Sequence, residues 1–345
     1  MKAVRSDDHR SHDPAYEVEF GSQVPVHERP QRVDAIAEVL GREPGIDLVA
    51  PTAHGLAPIE AVHDPDLVDF LAHAWRDWVE ATGHEVAIAE TFTTTSVREG
   101  MGPNRVPSGP VGRFSHYVFD TSTPMVEGTY AAARAAVDIA LTATDVVLAG
   151  EPVAYGLCRP PGHHAPRAAF GGFCYFNNAG VAAQHARGAG ATKVTVLDVD
   201  YHHGNGTQQL FYDRPDVQYV SLHGDPDHAY PYFAGYADET GTGAGAGTTT
   251  NLPLAAGTTD EQYLERLAKA LDAVARFGPD LLIVSLGVDT YELDPLGDLA
   301  LTTEVFAPMG QLVGSLELPT VVLQEGGYHL PSLGANVAGF LRGVT

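Results

Sequence analysis

The chain has 345 residues, an apolar fraction of 44% and a formal net charge of −24, which predicts one compact globular protein. So negative a surface repels nucleic-acid phosphates and anionic lipid, and therefore excludes both as partners. The two cysteines have no CxxC spacing, which excludes a disulfide framework. The sequence shows neither an apolar leader nor a long apolar segment, so we expect a cytoplasmic protein without a membrane partner.

Helical and strand patterns alternate along most of the chain. Helical patterns lie near 29–41, 58–81, 126–148, 177–188, 205–212, 259–277, 303–316 and 331–342. Apolar, β-branched runs predict strands over Val153–Leu157, Lys193–Val199, Val217–Leu222, Asp280–Leu286 and Thr320–Gln324. Several of these strands are apolar nearly throughout, as expected when helices cover both faces of a parallel sheet. The pattern predicts a doubly wound α/β fold.

Two segments interrupt this alternation. Residues 84–125 are rich in Thr, Ser, Gly and Pro and show neither a helical nor a strand period, which is typical of a functional loop or lid. Residues 224–250 contain the run GTGAGAG. Because no strand leads into this run and no helix opens from it, the run does not indicate a dinucleotide-binding site.

Residues that could carry chemistry follow four of the predicted strands. They are His163 and His164 in RPPGHHAP, Asp198, Asp200 and His202 in DVDYHHGNGTQ, Asp289 in SLGVDTYELDP, and Tyr328 in QEGGYH. Ligands of open α/β sheets bind at the carboxyl ends of the strands. We therefore expect the four segments to converge on one site.

Asp200, His202 and Asp289 predict a mononuclear zinc site. Alternate residues of an extended chain share a face, so Asp198, Asp200 and His202 can point the same way. An imidazole beside carboxylates suits zinc, and three protein ligands leave a position for water and substrate.

Hydrolysis by a metal-activated water needs a general base, a proton donor for the leaving group and a donor to the developing oxyanion. The pair His163 and His164 can supply the first two, and the hydroxyl of Tyr328 the third. The sequence has no GxSxG elbow, and neither Cys158 nor Cys174 has an evident partner. Covalent catalysis is therefore not indicated.

Six segments occur in the order in which they stand in the histone deacetylase and acetylpolyamine amidohydrolase family, and they resemble that family closely. They are RPPGHHA, FGGFCYFNNAG, LDVDYHHGNGTQ, YVSLHGDP, SLGVDTYELDP and QEGGYH. The likeness runs from about Pro25 to the C-terminus and is greatest to the bacterial acetylpolyamine amidohydrolases, where AGYADETGTGAGAGTT also has a counterpart. It implies the arginase/deacetylase fold, a single domain (1–345) around an eight-stranded parallel sheet, and zinc-dependent deacetylation of an acetylated amine.

The resemblance also implies roles for individual residues. His163 would pair with Asp198 and His164 with Asn205, with His164 as the general base and His163 assisting electrostatically. Gly172, Phe173 and Tyr230 would line a narrow acyl tunnel. A structural potassium ion would lie next to the zinc, held by the Asp198 carboxylate, the Ser221 hydroxyl and main-chain oxygens of Asp200, His202 and Leu222.

Two other activities are compatible with parts of this pattern. An arginase-like ureohydrolase would carry an aspartate where Gly287 stands, two residues before Asp289, together with a GGDH-type segment that this chain lacks. A non-catalytic acetyl-amine binding protein would have lost at least one catalytic group, whereas all of those named above are present.

The substrate is less well defined than the chemistry. Members of the acetylpolyamine branch use acidic residues of the long loop to bind a distal amine and use the loop, here about 84–125, to pair subunits. A homodimer acting on small acetylated amines is therefore expected. This loop, however, contains Arg105 and Arg113 and few carboxylates, of which Asp120 is one. Protein acetyl-lysine stays an alternative substrate.

Overall fold

A computed structural model describes residues 1–94, 96, 99–102 and 105–345. An eight-stranded parallel sheet forms the centre of the described part of the chain, in the strand order β4-β1-β5-β10-β9-β6-β7-β8, and β2 and β3 form a separate antiparallel hairpin. The strands are β1 (Lys2–Val4), β2 (Glu17–Glu19), β3 (Ser22–Val24), β4 (Asp47–Val49), β5 (Val153–Gly156), β6 (Val194–Asp198), β7 (Val217–Gly224), β8 (Thr249–Leu254), β9 (Leu281–Leu286) and β10 (Thr320–Gln324).

Helices cover both faces of this sheet. They are α1 (Gln31–Leu40), α2 (Ala57–Glu60), α3 (Pro65–Thr82), α4 (Pro110–Tyr117), α5 (Thr129–Leu148), α6 (Asn178–Gly188), α7 (Asn205–Phe211), α8 (Asp260–Phe277), α9 (Phe306–Gly314) and α10 (Leu330–Val344). Within the described residues, no helix combines the length and the apolarity that a bilayer span requires.

The alternation of side chains along each strand divides the core into two layers. In β9, Leu282, Val284 and Leu286 pack with α1, α8, α9 and α10, whereas Leu281 and Ile283 pack with α5 and α6 on the other face. Successive residues of a strand point to opposite faces, so a strand buried on both sides is apolar at most positions. The predicted doubly wound α/β fold, with eight parallel strands, is confirmed.

The structure differs locally from the sequence-based expectation at several points, of which three bear on the site or on the long loop. The helix predicted near 58–81 is divided, because Asp64 accepts the N–H of Asp66 as an N-cap and Pro65 begins α3. The segment 84–125, expected to be irregular, contains α4, which begins with Pro110. Its residues 95, 97, 98, 103 and 104 lie outside the described part of the chain. Finally, β6 ends at Asp198 and not at Val199.

Candidate metal centre and active site

The carboxyl ends of neighbouring strands bring the predicted residues together. The strands β5, β10, β9 and β6 are adjacent and parallel, so the segments that follow them emerge at one edge of the sheet. These segments carry His163 and His164 after β5, Tyr328 after β10, Asp289 after β9, and Asp200 and His202 after β6. The sheet order thus accounts for the convergence that was expected.

Asp200, His202 and Asp289 form a compact group of possible metal ligands. One ligand atom of each lies within 4.8 Å of the other two. His202 Nδ1 is 3.3 Å from Asp200 Oδ1 and 3.1 Å from Asp289 Oδ2. Both carboxylates are fully buried, while His202 lines a cavity. This donor set fits zinc and leaves a coordination position for water.

Asp198 does not belong to this ligand group, although an extended chain would have placed it on the same face as Asp200. The strand ends at Asp198 and the chain bends from Asp200 onward. The Asp198 Oδ2 atom instead accepts a 3.0 Å hydrogen bond from the Tyr219 hydroxyl and lies 3.1 Å from His163 Nδ1. Asp198 therefore contacts Tyr219 and His163, and it is not itself one of the possible metal ligands.

Two glycines allow the main chain to approach the ligand carboxylates. A Cβ on Gly287 would lie 2.0 Å from Asp200 Oδ2, and a Cβ on Gly326 would lie 2.2 Å from Asp289 Oδ2. The N–H of Gly326 donates to Asp200 Oδ2 at 2.7 Å, and the N–H of Tyr201 donates to Asp289 Oδ1 at 2.9 Å. Main-chain donors therefore fix both carboxylates, and no side chain fits at position 287.

The ligand group concentrates negative charge in buried surroundings. Burial raises the pKa of Asp289 to about 7, and the charge of Asp200 acts in the same direction. Burial also opposes the charge on Asp200, but His163 and the hydrogen bonds from His202 outweigh it and lower the pKa of Asp200. Burial opposes the charge on His202 too, yet its hydrogen bonds to both carboxylates raise its pKa to about 9. A divalent cation would relieve the repulsion between the carboxylates.

The adjacent histidines have different hydrogen-bond partners, and the pKa values of their imidazoles are shifted in opposite directions. His163 Nδ1 is 3.1 Å from Asp198 Oδ2, and His164 Nδ1 is 2.7 Å from Asn205 Oδ1. Burial opposes the charge on His163, but Asp200 and Asp198 outweigh it and raise its pKa to about 10. Burial, followed by the charge on His163, lowers the pKa of His164 well below its ordinary value. The pKa values of these two adjacent imidazoles are therefore shifted in opposite directions.

Tyr328 lines the cavity together with His164 and His202. Its backbone N–H donates to Asp294 Oδ2 at 2.6 Å, and the guanidinium carbon of Arg32 lies 4.6 Å from its ring centroid. Burial raises the pKa of Tyr328 well above its ordinary value, so its hydroxyl keeps its proton. Within the described residues this hydroxyl has no hydrogen-bond partner, which leaves it free to donate to a substrate.

The cavity has a volume of about 600 Å³ and aromatic walls. The ring centroid of Tyr230 lies 5.0 Å from that of His164, and the centroid of Phe173 lies 5.7 Å from that of Tyr328. Gly172 has a φ of +58°, and a Cβ there would lie 2.3 Å from the His164 ring. Gly172, Phe173 and Tyr230, which the family resemblance implied as tunnel residues, all line this cavity.

The oxygens implied for a potassium ion come from the ends of β6 and β7. The register of these strands places Asp198 opposite Ser221, and Asp198 Oδ1 accepts the N–H of Asp200 at 3.2 Å. The main-chain oxygens of His202 and Leu222 belong to the same two segments. Such a set of oxygens is compatible with a hard monovalent cation, and the potassium site stays a prediction.

Glu325 supports the site and was not singled out from the sequence. Its Oε2 accepts the N–H groups of Gly162 and His163 at 2.7 and 3.2 Å, and its Oε1 accepts the Ser285 hydroxyl at 3.1 Å. It thereby fixes the turn that carries the histidine pair. A glutamate directly after the buried strand β10 was the available signal.

A buried ionic network connects the N-terminal region to the site. Glu28 Oε1 accepts hydrogen bonds of 2.8 Å from both Arg32 and Arg159. Arg32 also donates to the carbonyl oxygens of Gly327, at 2.7 Å, and Glu325, at 2.5 Å. The i,i+4 spacing of Glu28 and Arg32 was a signal for their pairing, but nothing local indicated the long-range partners.

Comparison with known proteins places the chain in a family. Residues 26–344 match the histone deacetylase domain. The chain is 42% identical over 344 residues to the acetylpolyamine amidohydrolase of Mycoplana ramosa, covering 100% of this chain and 99% of that one. It is 42% identical over 345 residues to acetylpolyamine amidohydrolase 1 of Pseudomonas aeruginosa, covering 99% and 98% of the two chains.

A solved structure agrees with this likeness over the whole chain. The crystal structure of the acetylpolyamine aminohydrolase from Burkholderia pseudomallei superposes with a TM-score of 0.94 at 41% sequence identity. The superposition covers 100% of this chain and 98% of that one. The chain belongs to the histone deacetylase family and is most similar to its acetylpolyamine amidohydrolase branch.

Proposed function

We propose that this protein is a zinc-dependent amidohydrolase that removes the acetyl group from small acetylated amines. The observation that carries the proposal is the grouping of Asp200, His202 and Asp289 at a cavity that is also lined by His164 and by Tyr328, whose hydroxyl has no hydrogen-bond partner among the described residues. These are the groups that metal-assisted amide hydrolysis requires.

Each of these residues has a distinct part in the proposed reaction. Zinc at the three-ligand group would lower the pKa of a water molecule and polarise the acetyl carbonyl. His164, which is neutral and oriented by Asn205, accepts the proton of the attacking water and returns it to the leaving amine. His163 stays charged beside Asp198 and stabilises the negative charge that develops. The Tyr328 hydroxyl donates a hydrogen bond to the oxyanion.

The cavity favours a small cationic amine as the substrate. Of the charged side chains among its described lining residues, Glu19 and Asp120 are acidic and none is lysine or arginine. Glu19 belongs to β2 and not to the long loop 84–125, whose acidic residues would bind the distal amine in the acetylpolyamine branch. With the net charge of −24 and the named activities of the relatives, this favours acetylpolyamine-like molecules.

The two other activities fit the geometry less well. An arginase-like site needs a further carboxylate at position 287, and a side chain there would collide with Asp200. A non-catalytic binding protein would have lost at least one catalytic group, whereas the ligand group, His163, His164 and Tyr328 are all present.

A turnover screen of acetylated polyamines, acetyl-lysine peptides and small neutral acetamides tests the proposal. Zinc-loaded protein should turn over an acetylpolyamine with the highest kcat/KM. A preference for acetyl-lysine peptides would instead favour the protein deacetylase alternative, and no turnover of any of them would contradict the enzyme.

Two further properties are implied by the family resemblance and stay proposals: a structural potassium ion and a homodimer paired through residues 84–125. The cytoplasmic location expected from the sequence also stays a proposal. Light scattering tests for the homodimer, which should give about twice the 36.6 kDa chain mass.

A further inference from the structure

Glu17, Glu19 and His27 form a second group of possible metal ligands. Glu17 and Glu19 are alternate residues of β2 and share a face, and His27 follows β3 of the same hairpin. One ligand atom of each residue lies within 4.8 Å of the other two. The His27 Nε2 atom is 3.7 Å from Glu19 Oε1.

Glu17 carries the observation that points to a bound cation. The residue is 1% exposed, and its Oε1 accepts the N–H of His27 at 3.3 Å. Its Oε2 is buried without a hydrogen-bond partner among the described residues. A buried carboxylate oxygen in this state is unfavourable unless a cation or a proton satisfies it.

Among the described residues, no lysine or arginine side chain forms an ion pair with this group. Of the described basic side chains, only that of His27 lies within ion-pair distance of Glu17 or Glu19. The negative charges of Glu28 and Asp120 add to the repulsion at Glu17. Glu28 shows the contrast, since two arginines bind its carboxylate.

We propose that Glu17, Glu19 and His27 bind a second divalent transition-metal ion, such as Zn²⁺. Two carboxylates and one imidazole are the same donor set as Asp200, Asp289 and His202. The imidazole favours zinc and its neighbours over Ca²⁺ or Mg²⁺, which take oxygen ligands. Because the side chains of Glu19 and His27 are 26% and 27% exposed, the second ion should bind more weakly than the first.

This ion would lie at the mouth of the cavity. Glu19 lines the cavity with Tyr328, and the ring centroid of His27 is 6.4 Å from that of Tyr328. Binding there would neutralise the negative charge of the two carboxylates at the entrance. The loaded protein should therefore disfavour cationic substrates more than neutral ones.

Metal stoichiometry tests the second site independently of activity. After dialysis against rising free Zn²⁺, elemental analysis should find two ions per wild-type chain and one per chain in His27→Gln. The Glu17→Gln variant keeps an acceptor for the His27 N–H and should also bind one zinc ion per chain. His73→Gln, which alters an exposed histidine 3.6 Å from Asp69, is the control and should hold two.

Two results would overturn the proposal: a wild-type chain that never holds a second ion, or a second ion held with equal affinity by both His27→Gln and Glu17→Gln. A kinetic measurement tests the placement. Rising free Zn²⁺ should lower kcat/KM for a cationic acetylamine more than for a neutral acetamide in wild type, and equally for both substrates in His27→Gln. The same difference between substrates in both proteins would show that the ion does not lie beside His27.

Discussion

The hydroxyl of Tyr230 donates a 2.7 Å hydrogen bond to Asp120 Oδ2, and the same oxygen accepts the N–H of Gly172 at 2.5 Å. Gly172 lies against the His164 ring on one wall of the cavity, and Tyr230 forms another wall. One carboxylate from the long loop therefore joins two cavity walls that are distant in sequence.

Replacing Asp120 with Ala should disturb this cavity without touching the metal ligands. The Gly172 N–H and the Tyr230 hydroxyl would lose their shared acceptor, so kcat/KM should fall about 10-fold or more. Tyr230→Phe loses one hydrogen bond and keeps the ring, and should have the milder effect. Tyr232→Phe, at a half-exposed neighbour, is the control. Steady-state kinetics of the three variants measures these changes in kcat/KM. An Asp120→Ala protein as active as Tyr232→Phe would contradict the bridging role of Asp120.

His202→Ala and Asp289→Ala should each lose metal and activity together. With three protein ligands, removal of one should cost most of the affinity for zinc. Elemental analysis of the purified variants, with wild type and His73→Gln prepared alongside, measures the retained metal. A His202→Ala protein that kept stoichiometric zinc at the catalytic site would be incompatible with the proposed ligand set.

Tyr328→Phe should retain zinc and lose turnover. If its unpaired hydroxyl donates to the oxyanion, kcat should fall by roughly 10²–10³ while the metal content is unchanged. The ring, its contact with Arg32 and its main-chain bond to Asp294 would all remain. A variant within a few-fold of wild type would indicate that Tyr328 only packs.

The proposed roles of His164 and Asn205 predict losses of turnover of different size. His164→Ala should abolish nearly all turnover yet still bind a hydroxamate, whose affinity would rest mainly on the metal. Asn205→Ala removes only the group that orients His164 and should cost about 10–100-fold. Kinetics and inhibitor titration of both variants test the order. If Asn205→Ala were the more damaging, the roles assigned to the two residues would be wrong.

Acidification should destabilise the protein through His63. This imidazole is fully buried, accepts the N–H of Asn177 at Nε2 and lies 3.1 Å from the Pro166 oxygen at Nδ1. Burial lowers its pKa from 6.5 to about 4. The unfolded chain therefore binds the extra proton first, and stability falls as the pH decreases from about 6.5 towards 4, by up to about 1.4 kcal/mol per pH unit.

Urea unfolding of wild type and His63→Gln from pH 7.5 to pH 4.5 measures this contribution. The variant should be less stable at pH 7.5, because it loses a fitted buried partner, and should lose less stability on acidification. His73→Gln, at an exposed position, should keep the wild-type slope. Parallel slopes for wild type and His63→Gln would mean that His63 does not titrate as stated.

The predictable parts of the fold are the elements whose burial is indicated by a run of apolar residues in their own sequence. The strand β10 was predicted to the residue, because Thr320–Gln324 is apolar almost throughout and both of its faces are covered. The strands β1 and β4 have three residues each and were missed. Polar positions such as Asn251 obscure β8 in the sequence, since the partners of that side chain, Gln208 and the Tyr236 carbonyl oxygen, are tertiary contacts.

The same distinction applies to the candidate site. The proposed metal ligands are visible in sequence because each follows a strand and carries a donor that zinc prefers. Asp120 and Glu325 are not, since their partners lie far away in the chain and no short motif encodes such contacts. The role of Glu325 emerges only when the strand order brings the segments after β5 and β10 together, and that of Asp120 only when the segment between α4 and α5 packs against Gly172 and Tyr230.

The contacts of Arg32 have a consequence for how the protein is made. This side chain is buried near the N-terminus, and its main-chain acceptors belong to Glu325 and Gly327. During synthesis, β10 and the segment after it are produced late, so Arg32 lacks these two acceptors until nearly the whole chain exists. The buried position of Arg32 can therefore form only late in folding, and the cavity that Tyr328 lines should form at the same stage.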